Sequence, residues 1–266
     1  MTDISLLFEP PFARVVLNRP ERRNAISRAM WRALPAIRTA IEARQDALVV
    51  FVEGRGGHFS AGADISEFGE VYRDAAAARD YGDAVQYGLR ALSDLDRPSI
   101  AVLQGNVVGG GLGLALACDL RFCAADAYLA VTPAKLGLVY GHAETRRLVE
   151  LVGPSRAKDL LFTGRRIETE EALAIGLIDR RIETGLHDTA VGYARGLAAL
   201  SQTSVRGAKR AVDAIAAGMT VETPGFRALV ESAALGVDFA EGRAAFAEKR
   251  TVKFSSRDAT LPLPPG

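Results

Sequence analysis

Apolar positions along this chain fall into two rhythms, one of short alternating or continuous runs and one of helical repeats. Ile4–Phe8 and Phe12–Leu17 are two such runs separated by Glu9-Pro10-Pro11, which predicts a hairpin. Met30, Leu34, Ile37 and Ile41 then recur at helical spacing between Ser27 and Ala43, with Ser27 as the N-cap. Pro35 inside that segment has no N–H, so a lost hydrogen bond or a kink is expected there. Ala47–Val52 is a β-branched run suited to a buried strand. Val71 to Asp96 reads as one helix, with strong propensity across Asp74-Ala-Ala-Ala-Ala-Arg79 but few large apolar anchors. Further strands are predicted at Ser99–Leu103, Leu120–Cys123 and Tyr128–Val131.

From His142 onward the helical rhythm dominates. Gly153-Pro154 ends one helix and opens another, because proline at a first helical position forfeits no needed donor. Thr169-Glu-Glu-Ala begins a short helix closed by Gly176, and Leu177–Ile182 predicts a last strand. Leu186 to about Lys249 reads as helices and Leu261-Pro-Leu-Pro-Pro-Gly266 as a frayed tail. Strands alternating with helices, followed by helices alone, describe an α/β core (1–185) and a helical C-terminal region (186–266).

Composition narrows what such a chain can do. It has 266 residues, 48% hydrophobic and 24% charged, with 33 Lys and Arg against 32 Asp and Glu. That balance leaves no overall field to draw nucleic acid or an anionic membrane. Met1-Thr-Asp-Ile-Ser has no basic segment leading an apolar one, and the apolar stretch Val107–Cys118 is too short for a bilayer, so no membrane role and a cytoplasmic location are expected. Cys118 and Cys123 read as buried apolar residues, and the three His residues show no metal-ligand spacing.

The candidate chemistry lies in two glycine-bearing turns. Gly109-Gly110-Gly111 follows the apolar run Ser99–Val108 and leads into Leu112-Gly-Leu-Ala-Leu-Ala-Cys-Asp119, a predicted helix. Gly57-His-Phe-Ser-Ala-Gly-Ala-Asp-Ile65 supplies a second turn. One N–H from each, aimed at the same oxygen, makes an oxyanion hole. Two other readings fail on spacing. A dinucleotide fingerprint would need glycine at Leu114 or Leu116, and a nucleophile elbow at Ser60 would need glycine at His58.

Five motifs in order, Leu17-Asn-Arg-Pro-Glu-Arg-Arg-Asn-Ala25, Phe59-Ser-Ala-Gly-Ala-Asp-Ile65, Gly105-Asn-Val-Val-Gly-Gly-Gly111, Ala117-Cys-Asp119 and Glu241-Gly-Arg-Ala-Ala-Phe-Ala-Glu-Lys-Arg250, resemble those of the enoyl-CoA hydratase/isomerase (crotonase) superfamily. The resemblance implies a spiral of ββα units with a helical trimerisation region, assembly into trimers or dimers of trimers, and an acyl-CoA thioester as ligand. Coenzyme A is then part of the substrate, and no other cofactor or metal is implied. It places the oxyanion donors on the N–H groups of Ala63 and Gly110, beside Gly109. Ala61, Asp64 and Ile65 match the stretch around adenine and pantetheine, Arg22, Arg23 and Ala25 the CoA entrance, and Phe246 and Lys249 a segment that closes over the nucleotide.

The departures from that pattern are equally informative. The two hydratase glutamates of the family fall here on Gly113 and Ala134, neither of which can move a proton. General acid–base help contributes roughly 10²- to 10⁴-fold, so the usual water addition would be crippled. Thr132-Pro-Ala-Lys-Leu-Gly-Leu-Val-Tyr140 resembles the methylmalonyl-CoA decarboxylase branch, which needs no base because departing carbon dioxide leaves its electrons in the enolate. That resemblance makes Tyr140 a group that protonates or orients, and Thr132 or Lys135 either a partner for the departing carboxylate or a residue outside the pocket; Pro133 and Leu138 are counted with the substrate-binding positions. It is partial, since that branch carries a polar side chain at Ala63 and a glutamate near Gly113. Decarboxylation is the favoured specific reaction. The alternatives are a hydratase or isomerase using Tyr140 and Glu144 as substitute groups, an acyl-CoA binding protein without chemistry, and a partner subunit of a larger assembly. Tyr140 as a packing residue, and His142 and Glu144 as the mere start of a helix, are the plain readings of the same residues.

Overall fold

The computed structural model, which describes residues 2–254, sets the β-branched runs at the centre of a six-stranded sheet. In chain order the elements are β1 (Ile4–Glu9), β2 (Phe12–Leu17), α1 (Arg28–Glu42), β3 (Val49–Gly54), α2 (Phe68–Val71), α3 (Ala75–Ser93), β4 (Ser99–Leu103), β5 (Asn106–Val108), α4 (Gly110–Leu116), β6 (Leu120–Ala124) and β7 (Tyr128–Ala130). They continue with α5 (His142–Thr163), β8 (Arg166–Glu168), α6 (Thr169–Ala174), β9 (Arg180–Ile182), α7 (Leu186–Ala198), α8 (Gln202–Ala216), α9 (Pro224–Ala234) and α10 (Val237–Glu248). The sheet runs β1-β2-β3-β4-β6-β9 and is parallel except for the β1–β2 hairpin. A second sheet, β5-β7-β8, pairs β5 with β7 in parallel and β7 with β8 antiparallel.

Parallel strands are buried on both faces, and alternate side chains here enter two separate cores. Val15, Val50, Val52, Ala101 and Cys123 face the cluster that holds Trp31, Leu92 and Leu112, on α1, α3 and α4. Phe12, Val49, Phe51, Ile100 and Phe122 face α7, through Ala190 and Ala194. The helical C-terminal region is therefore joined to the sheet by its first helix.

Ser27 caps α1 by accepting from Met30 N–H at 3.3 Å, and the helix runs unbroken through Pro35. The Trp31 carbonyl that Pro35 cannot satisfy faces Gly88 of α3, where an added Cβ would stand 2.9 Å from it. Only glycine at 88 lets α3 pack this closely on α1 at that carbonyl.

Several boundaries differ from the sequence expectation. The single helix over Val71–Asp96 is two, because Asp74 turns extended and accepts from Ala77 N–H at 2.8 Å, starting α3 afresh. The run Ser99–Val108 divides between the two sheets at Gly105, whose φ of +54° bends the chain. Of Leu177–Ile182 only β9 is a strand, since Leu177 N–H bonds back to Ala172 O and both Leu177 and Ile178 drop into the core. Strand β8 was not expected. Gly153, at φ +79° and ψ +162°, breaks α5 before Pro154 as predicted. The expected tail at Leu261–Gly266 lies outside the described residues. Among the described residues no helix is long and apolar enough to cross a membrane.

Candidate active site

The first loop is fixed by two single parallel bridges, Ala63 with Ile26 ahead of α1 and Ser60 with Val107 of β5, the strand that leads into the second loop. In the first loop Gly62 adopts φ +102°, and its carbonyl accepts from Ile26 N–H at 2.7 Å. The Gly62–Ala63 peptide is trans, so its N–H points away from that anchored carbonyl. The neighbouring donors are used, Gly62 N–H on Ser60 Oγ at 3.1 Å and Asp64 N–H on Ile26 O at 3.0 Å. Ala63 N–H has no acceptor among the described residues.

The second loop repeats the construction. Gly109 adopts φ +52°, its N–H bonds to Ala130 O at 2.9 Å, and its carbonyl accepts from both the Tyr140 hydroxyl (2.9 Å) and Gly113 N–H (3.0 Å). Gly110 N–H, the first donor of α4, is left without a partner among the described residues, as helix starts leave their opening N–H groups. The two amides are close: a Cβ on Gly110 would lie 3.6 Å from Ala63 N, and one on Gly62 3.6 Å from Gly110 N. Two free donors side by side on partly exposed backbone can hold one oxyanion.

Both open onto a cavity of about 510 Å³. Ala61 and Ile65 line it on one side, and Thr132, Pro133, Leu138, Tyr140 and Glu144 on the other. A cleft of about 700 Å³ between α1 and α3 is larger, but its walls include ion pairs that already satisfy each other, Arg32 with Asp80 and Arg38 with Glu42.

Glu144, the third residue of α5, is the buried carboxyl of this cavity, 8% exposed. Among the described residues it has no ion pair, and burial raises its pKa above the ordinary glutamate value, with only its own backbone N–H opposing. A buried carboxyl without a counterion costs stability and is found where chemistry requires it. Its place is significant. A Cβ on Gly113 would stand 2.9 Å from Glu144 Cγ and 3.2 Å from the Tyr140 hydroxyl oxygen, so these two side chains fill the space that a residue at 113 would claim. Burial, with the Glu144 charge adding to it, also raises the Tyr140 pKa well above its usual value, so the hydroxyl stays protonated and donating.

The remaining predicted positions lie outside the cavity wall. Asp64 is buried and gripped by Arg19 at 2.8 Å and Arg22 at 3.4 Å. Burial works against its charge, but hydrogen bonds from Ser66 and Arg19 outweigh that and hold its pKa below the ordinary value, marking a brace for the Ala63 turn. The Arg22 guanidinium is half-exposed and turned to Asp64 and Ser66, Arg23 is exposed in a left-handed turn, and the Ala25 carbonyl accepts from Arg19 at 2.8 Å. Phe246, 88% exposed, and Lys249, at the end of α10, do not reach the cavity within this chain. Lys135 is exposed and lies against Gly164, away from the cavity, and Ala134 is exposed beside it.

The sequence reading missed the far wall. Trp31 of α1, Phe68 of α2, Tyr72 at its C-cap, and Arg79 and Tyr81 of α3 line the cavity, with Phe68, Tyr72 and Tyr81 in successive edge-on ring contacts at 5.2 and 5.7 Å. The spacing of Phe68 and Tyr72 on one helical face was the available signal.

The family described as Enoyl-CoA hydratase/isomerase matches residues 9–257. The enoyl-CoA hydratase domain-containing protein 2, mitochondrial, of Homo sapiens is 36% identical over 256 residues, covering 90% of this chain and 84% of that protein. The short-chain-enoyl-CoA hydratase of Clostridium acetobutylicum is 32% identical over 260 residues, covering 95% and 97%. A solved structure of an enoyl-CoA hydratase/isomerase family protein from Hyphomonas neptunium superposes with a TM-score of 0.93 at 43% identity, covering 96% of this chain and 98% of that one.

Proposed function

Because this chain belongs to the enoyl-CoA hydratase/isomerase family, we propose that it holds the thioester oxygen of an enoyl-CoA on the Ala63 and Gly110 amides and moves a substrate proton with Glu144. The observation that carries this reading is the Glu144 side chain, whose Cγ stands in the space next to Gly113 and which lines the same cavity as the two free amides. The carboxylate takes the proton from C2, the C–H electrons pass into the thioester as an enolate, and the oxygen charge rests on the two N–H groups. Returning the proton to C4 shifts the double bond from C3–C4 to C2–C3. One carboxylate serves both halves of that exchange, in keeping with the absence of carboxylates at Gly113 and Ala134. Hydration runs on the same group with a water beside it: the carboxyl gives its proton to C2, the water oxygen bonds to C3, and the proton that the water loses returns to the carboxylate.

A second reading, decarboxylation of a malonyl-type thioester, is favoured by Thr132, whose hydroxyl lines the cavity with no protein partner among the described residues and can bind a substrate carboxylate. There the C–CO₂ bond breaks, its electrons form the same enolate, and a protonated Glu144 gives its proton to C2 and is left as the carboxylate. Turnover of 2-enoyl-, 3-enoyl- and methylmalonyl-CoA by the wild type and Glu144→Gln tests both. Loss of enoyl-CoA turnover in the variant supports the first, carbon dioxide release supports the second, and thioester binding without turnover of any substrate would reduce the protein to a binding module.

Residues 1–185 supply the site in this reading, and the helices of 186–266 supply self-association. Support for the latter is the exposed apolar series Val230, Leu235, Val237 and Phe239 on and between α9 and α10.

A further inference from the structure

We propose that Tyr140 is a positioning residue for the oxyanion hole, acting through the Gly109–Gly110 peptide and not by transferring a proton to substrate. The inference rests on the oxyanion reading above and deepens it.

Its basis is the asymmetry of the two amides. The Ala63 donor belongs to a peptide whose carbonyl is held by backbone, Ile26 N–H at 2.7 Å. The Gly110 donor belongs to a peptide whose carbonyl, Gly109 O, is held by a side chain, the Tyr140 hydroxyl at 2.9 Å, together with Gly113 N–H at 3.0 Å. Gly109, Gly110 and Gly111 lack the side chains that would restrict how this peptide plane turns, so its orientation must be imposed from outside. In a trans peptide C=O and N–H point in opposite directions. Fixing Gly109 O against Tyr140 therefore aims Gly110 N–H at the cavity, on the side where Ala63 N lies. Two donors on one carbonyl also draw electron density from the amide nitrogen toward the oxygen, which strengthens the N–H as a donor. The Tyr140 proton is committed to this bond. Its hydroxyl lies 3.2 Å from where a Cβ of residue 113 would be, so the phenol packs between α4 and the start of α5 with its proton turned to the loop.

The test uses Tyr140→Phe, which keeps the ring and removes the donor, with a conjugated aryl-enoyl thioester of coenzyme A as the spectroscopic probe. Carbonyl polarisation in the hole moves the absorption of the bound probe to longer wavelength. In Tyr140→Phe the shift is expected to shrink and kcat to fall about tenfold, a fraction of the loss for deleting an oxyanion donor outright. KM should change little, and the acid limb of the pH profile should stay in place. Incorporation of 3-fluorotyrosine, a stronger donor, at position 140 is expected to enlarge the shift, which keeps the test decisive if the phenylalanine variant folds poorly. An undiminished shift in Tyr140→Phe, or a 3-fluorotyrosine protein with no larger shift, overturns the proposal. So does a kinetic loss that comes with a displaced pH limb, the sign of a proton donor. A wild-type protein that binds the probe with no shift at all would instead remove the oxyanion reading itself.

Discussion

Glu144 and Gly113 divide one volume between them: the carboxyl-bearing side chain from α5 lies 2.9 Å, at Cγ, from the point where a Cβ on α4 would begin. Alanine at 113 must push either Glu144 or α4 aside. Gly113→Ala is expected to lower turnover sharply and to cost about 1–3 kcal/mol in stability, the usual penalty for overpacking, as read by thermal unfolding. Returning the carboxylate to α4 is the more searching version. Gly113→Glu combined with Glu144→Gly should recover part of the activity that Glu144→Gly loses alone, and no recovery would mean that the shared volume is incidental.

Glu144→Gln keeps size and removes the ionisable proton. A loss of roughly 10²- to 10⁴-fold in kcat is expected, the range for general acid–base groups, with thioester affinity retained. Isothermal titration with an unreactive acyl-CoA, set beside the turnover measurement, separates the two quantities.

The raised pKa of Glu144 has a sign in both activity and stability. As a base it is active when ionised, so kcat/KM should rise with pH through a limb lying above the ordinary glutamate range. For stability, the unfolded chain ionises this group at the ordinary value while the native state still holds the proton. Its contribution thus falls as pH rises from the ordinary value to the raised one. Glu144→Gln should remove that fall and be the more stable protein above the limb, which denaturant titrations at several pH values would show.

Gly109 occupies φ +52° and ψ −120°, a conformation that a side chain disfavours, with Thr132 Oγ1 only 3.3 Å from where a Cβ would stand. Gly109→Ala should strain the turn by about 1–3 kcal/mol and misdirect Gly110 N–H. Turnover is expected to fall further than the drop in stability accounts for, so comparison of folded fraction with specific activity is the informative readout.

Leu235 is 89% and Val237 68% exposed at the junction of α9 and α10. If this edge joins copies of the chain, Leu235→Asp with Val237→Asp should lower the mass measured by light scattering without unfolding the core. An unchanged mass would place the contact elsewhere.

Strands β1 to β4, β6 and β7 were legible as short apolar runs bounded by turn residues, β-branched at the centre of the sheet in β3 and β4, which have little alternative to a strand. The two glycine turns that leave the Ala63 and Gly110 N–H groups unpaired among the described residues were legible because glycine marks backbone that must approach something. Pairing Ala63 with Gly110 came from the resemblance, and the geometry now sets the two amides side by side. The contact of Glu144 with the Gly113 position was not legible, since it joins residues from different helices and depends on the chain bringing the start of α5 across α4. The break at Tyr72–Asp74 was hidden by alanine-rich propensity that overrides a single capping aspartate. Tyr140 was legible as a candidate but not in its role, because a hydrogen bond to Gly109 O at 2.9 Å leaves no mark in residue spacing.

The central claim is that Ala63 N–H and Gly110 N–H share one thioester oxygen. The most direct measurement is a crystal structure with an unreactive acyl-CoA analogue. The expected result places the thioester oxygen about 2.7–3.1 Å from both nitrogens, with C2 turned toward Glu144. An oxygen bound away from either amide, or an acyl group that leaves Glu144 out of reach of C2 and of any bridging water, would contradict it.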